Sequence, residues 1–175
     1  RYNGSVWSPM SGASGNVTAI WGASASDVYA TTGPSSCCNL QILHFDGSQW
    51  SPVSAPTSLT VRGLWGASPE AVVGVGGTAS SSSQFVQFDG QAWTAAGAGA
   101  SGTLYSPWGT SASNVYAASA TSTLMRYDGS SWASVATGAP QPLSSVWGTS
   151  SSNIYAVGNS GTVMRYDGSN WSQLT

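Results

Sequence analysis

The sequence predicts an all-β fold, a β-propeller of four-stranded antiparallel blades, and three observations predict it. The pair Trp-Gly recurs at Trp21, Trp65, Trp108 and Trp147. The string aromatic-Asp-Gly-x-x-Trp recurs over 45–50, 88–93, 127–132 and 166–171, with an altered copy over 2–7. Its closing Trp falls at 7, 50, 93, 132 and 171, in steps of 43, 43, 39 and 39 residues. Between these marks lie short runs rich in Val, Ile, Leu, Tyr and Thr, punctuated by Gly, Ser and Pro, with no helical period. Four such runs per repeat of this length are the mark of a propeller blade.

The last repeat reads most clearly. Its strands are expected over 143–148, 153–157, 162–166 and 170–174. The first break, Ser-Ser-Ser-Asn at 150–153, corresponds to 24–27 and 111–114. The third is Asp-Gly, a pair that tolerates the positive φ of a tight hairpin. Spacing therefore divides a single domain, 1–175, into blades over 11–53, 54–96, 97–135 and 136–175. Residues 1–10 are an outer-strand remnant, with an extra strand expected over Gly4–Met10. Three closures stay open: a four-blade ring, half of an eight-blade ring made by two chains, or part of a longer array. A start in mid-repeat without Met favours processing or excision.

In a propeller the Asp-Gly turns share one face with the first-break turns. The second-break loops lie on the other. From the first turn to the Asp of Asp-Gly takes 14 residues in blades three and four, but 19 in blade one and 18 in blade two. The excess falls in the loops 31–40 and 76–84, and insertions on a rigid scaffold often shape a site.

Composition bounds the function. The 175 residues carry four Arg, no Lys and six acids, only 6% charged in all, for a net charge of −2. Average soluble domains hold about 25%. Without a basic cluster the chain cannot neutralise a run of phosphates, so no nucleic-acid partner is expected. Neither membrane insertion nor binding to an anionic surface is expected, since the apolar runs are short and no basic amphipathic helix exists. Nine Trp and seven Tyr demand burial, which excludes charge-driven disorder. The solubilising residues are Ser, Thr, Asn and Gln, a composition that suits an extracellular or cell-surface protein.

The unit W-G-x-S-x-x-[DN]-V-Y-A … [FY]-D-G-x-x-W resembles the degenerate tandem repeats of bacterial extracellular β-propeller proteins, over essentially the whole chain. Its D-G-S-x-W hairpin is similar to that of bacterial propeller lectins, and its Tyr-to-Trp spacing is loosely similar to kelch. The Trp-Asp signature of WD40 repeats is absent, the kelch Gly-Gly occurs once, at Gly76-Gly77, and the Asp-box spacing is not matched. The resemblance implies the fold; function is carried by sites grafted on it.

An audit of ionisable groups argues against catalysis. Asp46, Asp89, Asp128 and Asp167 belong to the Asp-Gly turns, and Asp27 to a first-break turn. Arg1, Arg126 and Arg165 precede the motif aromatic, where blades one and two carry His44 and Gln87. No spare carboxylate pair remains for acid–base work. His44 has no second ligand at metal spacing, so neither a metal nor a cofactor is expected. Repeated carboxylates could collect Ca²⁺, but one per blade is few, and an Asp before Gly serves the turn itself.

Recognition is the remaining class. Aromatic faces on a neutral, hydroxyl- and amide-rich surface suit a glycan, and repetition adds avidity. The candidates are Trp21, Trp65, Trp108 and Trp147, with His44, Arg126 and Arg165. Packing between blades requires the same Trp pattern and is the favoured role for any one Trp. The adjacent Cys37 and Cys38 are candidates for a vicinal disulfide in an oxidising compartment. Asn3, Asn16 and Asn170 head glycosylation sequons. The expected function is a multivalent carbohydrate-binding or adhesive module. The alternative is a protein-interaction domain that self-assembles through its edges as a homo-oligomer completing a larger propeller.

Overall fold

The computed structural model describes residues 1–12, 16–33, 41–56, 60–77 and 82–174, with backbone alone at 82 and 97–101. Among them the chain forms four antiparallel four-stranded sheets, each in simple chain order. Blade one is β1 (Asn16–Ser24), β2 (Asp27–Gly33), β3 (Gln41–Phe45) and β4 (Trp50–Val53). Blade two is β5 (Val61–Ser68), β6 (Ala71–Gly76), β7 (Ser82–Phe88) and β8 (Trp93–Ser101). Blade three is β9 (Leu104–Ser111), β10 (Asn114–Ser119), β11 (Thr123–Tyr127) and β12 (Trp132–Ala136). Blade four is β13 (Leu143–Ser150), β14 (Asn153–Gly158), β15 (Val163–Tyr166) and β16 (Trp171–Gln173). The fold is a β-propeller. β8 runs past residue 96, because its ladder with β7 continues to the pair Ser82–Ser101.

The Asp-Gly hairpins explain most of the acid residues. Each Asp Oδ1 accepts the backbone N–H groups two and three residues on, at 2.8–2.9 Å. Each following Gly sits near φ 90–100°, where a side chain would be strained. These donated bonds hold all four carboxyls below the usual carboxylate range. Asp46 and Asp128 fall to about 2, helped by the hydroxyls of Ser48 and Ser130. A depressed carboxyl stabilises the fold above its unfolded value and loses that contribution as the proton returns. Stability should therefore fall as pH drops from 3.8 towards about 2. The Asp46→Asn/Asp128→Asn double variant should flatten that slope, since Asn3 already makes the same two bonds in the first copy. Chemical denaturation midpoints across this pH range read it out, and an unchanged slope would refute the assignment.

Residues 1–10 do not form the strand expected over Gly4–Met10. They make one turn, a single Tyr2–Trp7 bridge and bonds between Arg1 and Ser8. Trp7 is 81% exposed. A hairpin without a sheet to join gains little from extending.

The core lies between sheets, not within them. Tyr29 and Ile42 of blade one pack on Leu64, Val72, Val86 and Trp93 of blade two. Val75 and Phe85 meet Leu104, Ala117 and Met125 across the next junction. Leu124 and Ala118 meet Leu143, Val146 and Met164 across the third. Because the two middle sheets are covered on both faces, their second strands are buried continuously, as over Val72–Gly76, in place of an alternation.

The Trp-Gly pairs form a chain of seats along the inner strands. A Cβ placed on Gly66 would come within 2.5–2.8 Å of the Trp21 ring, so only glycine admits it. Trp65 lies on Gly109, and Trp108 on Gly148, in the same way. Blade one packs on two, two on three and three on four. No comparable packing joins β13 to β1 among the described residues. The four-blade ring is thus not closed within the chain, which forms an open arc.

Candidate functional site

Strand register brings a polar cluster to one and the same face of blades one, three and four. In blade one, Trp21 pairs with Tyr29, Tyr29 with His44 and His44 with Ser51, so all four share that face. His44 Nε2 donates to Asp27 Oδ1 at 2.7 Å, and its ring stacks on Tyr29 with centroids 4.6 Å apart. Blades three and four place Arg126 and Arg165 at the His44 position. Each guanidinium lies 5.9 Å over a Tyr ring, Tyr116 or Tyr155. Each Arg Nε donates to an Asn Oδ1, Asn114 at 3.0 Å and Asn153 at 3.3 Å. Blade two has Val73, Ala71 and Gln87 there, with no charge.

Clefts open where the outer strands of adjacent blades diverge. The cleft between blades one and two, about 430 Å³, is lined by Tyr29, His44, Ser54, Phe88, Gln91 and Trp93 among others. Those between blades two and three hold about 240 and 300 Å³. Tyr29 meets Trp93 edge-on at 5.6 Å, and Trp93 stacks on Phe88 at 5.4 Å. Burial, and then the Asp27 charge, push the Tyr29 hydroxyl above its usual value, so it stays neutral.

Trp93 is singular within this cleft. It is 6% exposed, and its indole N–H is the one buried side-chain polar atom among the described residues without a hydrogen-bond partner. A buried unpaired donor costs about 1–3 kcal/mol. The three other closing Trp of the sheets, Trp50, Trp132 and Trp171, stay partly exposed. Aromatic walls, an amide, a hydroxyl and an imidazole paired with a carboxylate form a lining suited to a neutral polar ligand with an apolar face.

The sequence-derived candidates divide. His44 is in this cleft. Trp65 lines the 300 Å³ cleft as well as its glycine seat. Trp21 and Trp108 lie in their seats between blades, while Trp147, on the last blade, is 58% exposed. Arg126 and Arg165 are exposed on their own blades and do not converge with His44. Asn3, Asn16 and Asn170 are exposed. Cys37 and Cys38, and most of the two long loops, lie outside the described residues. The cleft borders the Asp-Gly turns and so sits on the opposite rim from those loops. Among the described residues no three His, Cys, Asp or Glu side chains gather as metal ligands.

Tyr29, Phe88, Gln91 and Trp93 are not among the binding candidates read from the sequence, where Phe88 and Trp93 stand only as positions of the hairpin motif. A partial signal existed: pairing the second and third strands back from the Asp-Gly turn puts Tyr29 opposite His44 and Asp27 beside them. What could not be read is that blade two completes the wall.

No protein-family model and no curated protein sequence matches the chain. Solved structures do. A protein described as YCF48 bound to D1 peptide superposes with a TM-score of 0.66 at 14% identity, over 97% of this chain and 57% of that one. The six-bladed fucose-binding lectin of Aleuria aurantia gives 0.61 at 16% identity, over 91% and 61%. A structural-genomics protein of unknown function from Bacteroides thetaiotaomicron gives 0.62 at 13% identity, over 91% and 43%. At these identities the likeness is one of fold, and the chain spans about half the length of these propellers.

Proposed function

We propose that this chain is a non-catalytic, extracellular recognition module, and that the cleft between blades one and two receives a neutral sugar ring. The observation that carries this reading is a cleft of about 430 Å³ whose aromatic walls, Tyr29, Phe88 and Trp93, stand beside the polar groups of His44, Gln91 and Ser54. Stacking on the aromatic walls and hydrogen bonds to Gln91, Ser54 and the imidazole recognise hydroxyls without net charge. The His44 imidazole is engaged by Asp27, and among the described residues no carboxylate lines the cleft as a second acid–base group to turn over what is bound. Fucose recognition by a propeller of similar fold is consistent with this reading and does not identify the sugar.

A broad glycan array, followed by titration of the best ligand, tests the proposal. Binding should be selective, and His44→Ala should weaken it roughly tenfold, the equivalent of one hydrogen bond at about 1.4 kcal/mol. A flat array together with absent haemagglutination would overturn the glycan reading. A second reading, with a protein as partner, is favoured by the uncovered inner-strand surfaces at the two ends of the arc.

A further inference from the structure

The three junctions inside the chain share one design. The indole of a Trp-Gly pair lies on the glycine of the next blade, and the apolar residue two places before that glycine is covered. Leu64 and Val146 occupy that covered place in blades two and four and are 7% and 3% exposed. The chain ends with one half of the design unused at each side. Among the described residues no glycine lies under Trp147, which is 58% exposed. Gly22 has no indole seated on it: the three atoms nearest a Cβ there belong to Val28 and Asp27 of its own blade. Ile20, at the place of Leu64 and Val146, is 63% exposed. Blade four even presents Tyr155, Arg165 and Asn153 on its open face as blade three presents Tyr116, Arg126 and Asn114 at a filled junction.

We propose that these halves belong together, and that Trp147 of one copy seats on Gly22 of a second copy, burying Ile20. The partner is this chain because both halves of the junction come from its own repeat and three intramolecular copies show that they fit. The contact is head-to-tail, so two copies close an eight-blade ring if the rotation allows and form longer series if it does not. It joins inner strands face to face, not outer edge to outer edge. It is independent of what the cleft between blades one and two binds.

Sedimentation of the 175-residue chain tests it. The wild type should run at twice its 17.7 kDa or higher, with a concentration-dependent mass. Trp147→Ala should be monomeric, and so should Gly22→Ala, whose added Cβ meets the incoming ring. Each substitution lies on the uncovered end of a blade, so both variants should keep the wild-type melting behaviour measured at dilution. Mixed together they should recover pairs and nothing larger, since each retains one intact half. A monomeric wild type at about 100 µM, well above the Kd range of stable self-association, would overturn the proposal. So would association that survives both substitutions, or a mixture that stays monomeric.

Discussion

Gly66→Ala should lower stability by about 2–3 kcal/mol, the upper range for forcing a methyl into a filled site. The added carbon would stand 2.5–2.8 Å from three atoms of the Trp21 ring. That ring is hemmed in between blades, so relief requires the inner strands to separate. For a chain of this length the change corresponds to a drop in Tm of roughly 5–10 °C. Gly22→Ala, at the same place in the repeat, provides the control. Its methyl would meet a Val28 methyl at 3.0 Å and no indole, so the isolated chain should lose less than about 1 kcal/mol. Both measurements belong at concentrations where copies are separate, because association adds apparent stability by mass action. Equal losses at the two positions would show that the indole seats do not hold the blades together.

Trp93 separates packing from recognition in one position. Trp93→Ala should cost about 3–5 kcal/mol, since the side chain is buried and packs on Tyr29 and Phe88. Trp93→Phe should behave differently. It keeps an aromatic ring in the stack and removes the unpaired N–H, whose burial costs about 1–3 kcal/mol. Lost volume offsets part of that gain, so unfolding should be nearly unchanged. Affinity for the array-selected glycan should stay within about threefold of wild type, since an aromatic ring remains in the wall and the enclosed N–H is not presented to the cleft. A Phe variant that binds about tenfold more weakly would overturn this and show that the indole N–H turns to the ligand.

The outcome at particular residues shows why some features were legible. Asp46 and Gly47 announce a hairpin wherever they stand, because the turn is made by bonds spanning three residues. Trp21 and Gly66 each stand out as motif positions, yet their contact is 45 positions apart, and only blade packing creates it. Trp147 carries the same motif as Trp21 and has a different fate, since nothing in its local sequence says whether a blade follows on that side. The extra strand expected over Gly4–Met10 failed for a related reason: the turn is local and forms, but a strand needs a neighbour.

The repeat, the four strands of each blade, the turns that absorb the Asp residues and the poverty of charge are all written in the order of the residues. They follow from local hydrogen bonding, short apolar runs between turn residues, and composition. Which faces meet, the open arc, and the meeting of His44 and Tyr29 with Trp93 in one cleft come from the packing of sheet on sheet. Those depend on how one sheet lies against another, a relation between residues far apart in the chain, which local preference does not encode.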